Sequence, residues 1–295
     1  MKTTVDFAFL DSGTGGIPYM LSLHEKVPDA TCVYLGDTEH FPYGEKSGSE
    51  VTECASKAIQ KIIDLWSPRS IVVACNTISV TALDSLRARF PNLPIVGTVP
   101  AIKVAAEVTK NKKIGLLATN ATVHHPYCQK LIHDFASDCT VSMRADPALI
   151  DFVEKEYFTA TKEERLAAVK EAADFFKREG CDTVILGCTH FTHIAEEMRL
   201  ACGRGITVVD SRDGVANQAI RKIHTSTTLS HRTSTQLSDH EERAGCDGEM
   251  PKEGAASVKN LTFFVTKASE QELKEYKTLC KNLRIPFGGV TGNSP

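Results

Sequence analysis

The chain has 295 residues, 42% of them hydrophobic and 24% charged, with a formal net charge of −3. That balance is the composition of a globular protein with one large domain or two of ordinary size. It leaves no broad basic footprint, so nucleic acid is not expected as the main partner, and no apolar stretch reaches the length of a membrane span.

From the N-terminus onward, short apolar runs alternate with stretches of helical period. The polar start MKTTVDFAFLDSG has no signal-peptide pattern, which makes a cytoplasmic location the expectation. The apolar runs predict strands over Thr4–Leu10, Thr31–Gly36, Ser70–Ala74, Ile95–Gly97, Lys113–Ala118, Thr140–Arg144, Thr183–Leu186 and Thr207–Val209. Helices are predicted between them, over Ile17–Lys26, Ser49–Trp66, Ser79–Phe90, Ala101–Thr109, His125–Phe135, Lys162–Glu179 and Ile194–Ala201. Such alternation calls for parallel sheets with helices on both faces. Thr225–Val258 departs from it: rich in Ser, Thr, Asp, Glu and His and without an aromatic residue, it reads as a mobile surface insertion. A strand at Leu261–Thr266 and a helix at Glu270–Leu283 then return the chain to its first half.

Two segments echo each other: Ile71-Val72-Val73-Ala74-Cys75-Asn76-Thr77 and Val184-Ile185-Leu186-Gly187-Cys188-Thr189-His190. Each reads as a buried parallel strand ending in a cysteine and followed by small hydroxyl or amide residues. A cysteine there lies at the mouth of an α/β fold, and beside a helix N-terminus its thiol becomes usable as a base or nucleophile. The repetition suggests two similar halves sharing a cleft. The chain has ten cysteines and no C-x-x-C pair, so most of the others read as buried thiols in a reducing compartment. A zinc alternative from Cys188, His190 and His193, with His124, His125 or Cys128, matches no standard spacing.

Asp11-Ser12-Gly13-Thr14-Gly15-Gly16 follows the first strand, where glycines and free N–H groups suit a carboxylate or phosphate. Asp37, at the end of the second strand, makes a dinucleotide site conceivable, but Pro18 stands where that fingerprint needs its third glycine. A bare tight turn also explains the glycines. The loop Phe41-Pro42-Tyr43-Gly44-Glu45-Lys46-Ser47 presents N–H groups near Tyr43-Gly44, or else simply packs Tyr43 on the core. Neither the glycine loop nor the cysteine segments carry lysine or arginine, so an anion bound there depends on backbone N–H groups and hydroxyls.

With Asp11-Ser12-Gly13-x-Gly15-Gly16, Gly36-Asp37, Pro42-Tyr43-Gly44, Cys75-Asn76-Thr77 and Gly187-Cys188-Thr189-His190 in this order, the chain resembles the glutamate racemases of the cofactor-independent aspartate/glutamate racemase superfamily. The resemblance runs from about residue 5 to Ile223 and resumes over Leu261–Lys281. It implies two pseudo-symmetric α/β domains with mainly parallel sheets and the active site in the interdomain cleft. The first domain would comprise residues 1–97 plus 210–295, with the polar insertion at 225–258, and the second residues 98–209. It also implies interconversion of L- and D-glutamate for peptidoglycan synthesis, with no cofactor, no metal and no membrane partner, and with the homodimer common among relatives.

By the same resemblance Cys75 deprotonates D-glutamate and Cys188 L-glutamate, assisted by Asp11 and His190, with Glu154 as a further carboxylate. Substrate contacts fall on Asp11, Ser12, Tyr43, Gly44, Asn76, Thr77, Thr119, Thr189 and His190. The residues agree with that chemistry. The α-proton of an amino acid is very weakly acidic, and inversion without an electron sink needs one tunable acid–base group on each face. This chain departs from many relatives at Phe191-Thr192, Pro18 and Ile78, none of which is a catalytic group. Two other readings stay open: a racemase of aspartate or another acidic amino acid, and a non-catalytic amino-acid-binding protein, which would have no need of two thiols.

Overall fold

A computed structural model of the protein describes residues 4–228 and 260–291, the side chains of 224–228 excepted. In chain order the elements are β1 (Phe7–Asp11), α1 (Ile17–Lys26), β2 (Cys32–Gly36), α2 (Gly48–Trp66), β3 (Ser70–Val73), α3 (Asn76–Arg89), β4 (Ile95–Gly97), α4 (Ile102–Val108), β5 (Lys113–Ala118), α5 (Asn120–His124) and α6 (Pro126–Phe135). There follow β6 (Thr140–Ala145), α7 (Pro147–Lys155), α8 (Lys162–Arg178), β7 (Thr183–Leu186), α9 (Ala195–Cys202), β8 (Thr207–Val209), α10 (Arg212–Thr228), β9 (Leu261–Val265), α11 (Glu270–Leu283) and β10 (Phe287–Val290). Short 3₁₀ turns occupy Thr38–His40, Tyr43–Glu45 and Thr189–Thr192.

The strands form two sheets, a six-stranded one in the order β10-β9-β2-β1-β3-β4 and a four-stranded one in the order β6-β5-β7-β8. All pairings are parallel. Helices on both faces bury the central strands completely, which is why β1, β2, β3 and β7 are near-continuous apolar runs. On one face of the larger sheet Phe9, Tyr34 and Phe263 pack with Met20, Leu23 and Tyr276. On the other, Leu10, Leu35 and Val73 pack with Ile59 and Ile62. Each such side chain contributes roughly 1.5–3 kcal/mol by leaving water. Helices α2, α8 and α11 open with reciprocal capping boxes at Ser47, Thr161 and Ser269, each cap worth about 1 kcal/mol.

Four elements lie outside the periodicity reading. Helix α7 starts from Asp146, whose carboxylate accepts the Leu149 N–H, and from Pro147 at its first position; it buries Leu149 and Val153 at helical spacing, with Ile150 and Phe152 half-covered against the same core. The short α5 is capped by the Thr119 hydroxyl. Strand β10 contains Gly288-Gly289, which hides its strand character, and it lies at the sheet edge where glycine is tolerated. Helix α10 packs Val215, Ala216, Ala219 and Ile223 into the larger core and continues to Thr228. The polar insertion expected at 225–258 therefore begins inside a helix, and its remainder lies outside the described residues. Helix α3 starts three residues before its expected position, which puts Asn76 and Thr77 in the first turn immediately after Cys75. All nine described cysteines are free thiols, seven of them buried. Among the described residues no helix is long and apolar enough to cross a membrane.

Candidate active site

The C-terminal ends of β1, β3 and β7 converge on one cavity of about 650 Å³, its open mouth included. Strand β1 ends at Asp11. Strand β3 leads through Ala74 to Cys75, which precedes the first turn of α3, and β7 leads through Gly187 to Cys188, which precedes the turn Thr189–Thr192. Ligands of open α/β sheets bind at such strand ends, where helix N-termini leave N–H groups free. Of the residues singled out in the sequence, Asp11, Ser12, Tyr43, Gly44, Cys75, Asn76, Thr77, Thr119, Cys188, Thr189 and His190 all line this cavity. Its lining contains no lysine or arginine.

Around Cys75 the site is buried and acidic. Burial and the neighbouring Asp11 charge push the Cys75 thiol well above its ordinary range, so it carries its proton in the ligand-free protein. Asp11 is itself fully buried, and desolvation raises its carboxyl to about 6 even though the His190 charge and several hydrogen bonds oppose the rise. Its Oδ1 accepts the Ser12 N–H at 2.7 Å and its Oδ2 the Thr189 hydroxyl at 3.0 Å.

Around Cys188 the arrangement differs. His190 Nδ1 faces the Cys188 sulfur at 3.7 Å, and His190 Nε2 meets Glu154 Oε2 at 2.9 Å. Burial by itself lowers the His190 pKa, but the hydrogen bonds and charges of Cys188 and Glu154 outweigh it and hold the ring well above its ordinary value. Burial likewise works against the Glu154 charge, while His190 and Thr14 prevail and hold its carboxyl below the usual range. Glu154 and His190 are thus a buried carboxylate–imidazolium pair. Glu154 stands behind His190 and not on the cavity wall.

The glycine loop serves this pair. The Thr14 N–H and hydroxyl donate to Glu154 Oε2 at 2.9 and 2.7 Å, so the anion held by the loop is the chain's own carboxylate. A Cβ at Gly13 would come within 2.7 Å of the Glu154 carboxylate, and one at Gly15 within 2.5 Å of His190 Nδ1. Close approach explains these glycines better than a bare turn does. The dinucleotide reading fails at Asp37, which accepts from the Tyr43 hydroxyl and from Thr266 Oγ1 at 3.0 Å and pairs with His40 at 2.9 Å. Both views of Tyr43 hold in part: its ring is core, its hydroxyl is engaged by Asp37, and the turn it starts borders the cavity.

Asn76 Nδ2 donates to the Gly187 carbonyl at 2.6 Å, while its buried Oδ1 has no hydrogen-bond partner among the described residues. Thr77 and Thr119 hydroxyls meet at 3.3 Å. Among the described residues no three His, Cys, Asp or Glu side chains converge as metal ligands. His190 turns its nitrogens to Cys188 and Glu154, and His193 turns Nε2 to the Thr14 carbonyl at 3.1 Å. Sequence reasoning missed Pro147, Ile150 and Asp151 of α7 and Asn120 of α5, which also line the cavity. The Asp146-Pro147 start, followed by Leu149 and Val153, was the available signal for α7.

The family model for Asp/Glu/hydantoin racemases matches residues 20–219. Among curated relatives, the chain is similar to glutamate racemase of Treponema pallidum, 41% identical over 73% of this chain and 80% of the relative. It is also similar to glutamate racemase of Glaesserella parasuis, at 42% over 75% and 81%. The crystal structure of Escherichia coli glutamate racemase in complex with L-glutamate and the activator UDP-MurNAc-ala superposes with a TM-score of 0.77, at 28% identity and 97% coverage of both chains. By sequence, fold and the matched span, this chain belongs to the Asp/Glu/hydantoin racemase family of isomerases.

Proposed function

We propose that the protein is a glutamate racemase that inverts Cα by proton transfer between two thiols, without a cofactor. The observation that carries this reading is the pair Cys75 and Cys188 on one cavity whose lining holds no lysine or arginine, each with its own acid–base partner. In the L-to-D direction Cys188 as thiolate removes the α-proton and Cys75 as thiol delivers one to the opposite face. The product state has the thiol on Cys188 and the thiolate on Cys75, so charge and protons balance, and the reverse direction restores the start. The proton held on Cys75 by burial suits its acid role for L-glutamate.

Substrate carboxylates would lie on N–H groups at the starts of α3 and of the turn Thr189–Thr192, beside the Thr77, Thr119 and Thr189 hydroxyls. The ammonium group would face Asp11 and the unpartnered Asn76 Oδ1. Fixed N–H dipoles in a buried site stabilise the developing carbanion without reorganising during the reaction. The division into residues 1–97 with 210–295 and residues 98–209 is part of this reading, supported by strand membership of the two sheets. So are a cytoplasmic homodimer and D-glutamate supply to peptidoglycan, which rest on kinship with bacterial glutamate racemases.

Incubation with L- or D-glutamate in deuterated water, with no cofactor, tests the proposal. Inversion with deuterium appearing at Cα is expected, and Cys75→Ser and Cys188→Ser should each slow it by orders of magnitude. Exchange with aspartate alone would favour the aspartate alternative. Tight glutamate binding with no exchange would favour the binding protein.

A further inference from the structure

Beyond the two thiols and their immediate partners, we propose that Thr14 and His193 are positioning residues that hold the Glu154–His190 pair against Cys188. The inference rests on the two-thiol reading above and names residues that reading does not use. His193 is buried, with Tyr157 donating to its carbonyl at 2.8 Å and the Phe158 ring packed edge-on at 5.2 Å. Its Nε2 lies 3.1 Å from the Thr14 carbonyl, and a carbonyl only accepts, so Nε2 carries the proton. Burial lowers the His193 pKa to about 4, which keeps this ring a neutral donor beside the charged His190.

Thr14, fixed by that bond, supplies two of the donors on Glu154 Oε2, the atom that also meets His190. Any residue at position 14 provides the N–H, but only serine or threonine adds the hydroxyl. Likewise only a side chain with a donor at the right length reaches the carbonyl from position 193. A carboxylate receiving several donors stays ionised, and its charge keeps His190 protonated with Nδ1 directed at the Cys188 sulfur. The other titratable groups acting on these residues are Asp11, Tyr34, Cys188, Arg212 and Tyr276, on five separate elements or loops, and all stay in place in the variants below.

The test compares Thr14→Val, Thr14→Ser, His193→Leu and His193→Gln with the unaltered protein. It measures kcat and KM from both enantiomers across pH, and the His190 ring protonation by nitrogen NMR without ligand. Thr14→Val should lower kcat about tenfold, the effect of one hydrogen bond to a charged group, with little change in KM. The loss in kcat/KM must be equal in both directions, since enantiomers have equal free energy and the two kcat/KM values are tied. The acid limb of the profile should move to higher pH, because Glu154 with one donor fewer protonates more readily, and the His190 resonances should change over the same range.

Thr14→Ser should restore both, and His193→Gln should retain what His193→Leu loses. An unmoved limb in Thr14→Val with unchanged kcat overturns the proposal. So does equal impairment of Thr14→Val and Thr14→Ser with an unmoved limb, which would mean packing alone. If the unaltered protein racemises nothing, the proposed function fails. The ring-protonation measurement then still decides the positioning chain, and a His190 titration identical in Thr14→Val and the unaltered protein overturns it.

Discussion

Replacing Asp11 by asparagine should make the protein more stable at neutral pH while removing most of its activity. Asp11 is fully buried, and its carboxyl is raised from 3.8 to about 6 chiefly by desolvation. A carboxyl whose folded pKa exceeds its unfolded value binds its proton more tightly in the folded state. Stability therefore falls as pH rises from 3.8 to about 6 and levels off above. The difference corresponds to about 3 kcal/mol carried as a deficit at pH 7. Asparagine is neutral and nearly isosteric, its Oδ1 can keep the Ser12 N–H, and its amide can donate to the Thr189 hydroxyl, which turns to accept. Urea unfolding at pH 4 and pH 7.5 measures the effect: the variant should gain relative to the parent by up to about 3 kcal/mol between the two. Its kcat should fall by about a hundredfold or more, the loss typical of an acid–base group. A stability difference that is the same at both pH values would refute the assignment of a desolvated, ionised Asp11.

Glu154→Gln leaves His190 without its counter-charge and should destabilise the fold by about 3–5 kcal/mol. The Glu154 pKa is depressed below 4.5 and that of His190 raised above 6.5, so the pair's contribution is full between those values. It fades as pH falls through the folded Glu154 value or rises towards that of His190, and thermal melts should show the largest gap to the parent near pH 5.5, inside that window; a gap independent of pH would contradict it. Gly15→Ala places a Cβ 2.5 Å from His190 Nδ1 and 2.7 Å from its backbone nitrogen, which cannot yield. Destabilisation of about 1–3 kcal/mol and a roughly hundredfold loss of kcat should follow as the ring leaves Cys188; parental kinetics would show that the loop does not hold the ring.

Much of the α/β architecture was legible because buried parallel strands are short apolar runs and their helices have period 3.6. Two of the elements that escaped carry blurred versions of those signals. Helix α7 fully buries Leu149 and Val153 but carries the half-covered Ile150 and Phe152 beside them, and β10 is half glycine. The omission of α7 matters for the site, since it brings Glu154 behind His190 and Ile150 to the cavity wall. Resemblance supplied Glu154 where periodicity did not.

What the sequence determined by itself was the repeated unit: an apolar strand that must be covered on both faces and ends in a cysteine followed by hydroxyl and amide residues. That pattern is local, because strand burial and the start of the next helix are set by a dozen neighbouring residues. The roles of the glycine loop, Asp37 and His193 were decided only by tertiary structure. Whether an N–H binds a ligand or the chain's own carboxylate depends on what another element brings within 3 Å. For Thr14 that element is α7, 140 residues away in sequence. The asymmetry of the two thiols has the same origin: their sequence settings are alike, but Cys75 faces the desolvated Asp11 and Cys188 faces an imidazolium held by Glu154. Electrostatics in a buried cleft follow from which charges are packed together, and only the folded chain fixes that.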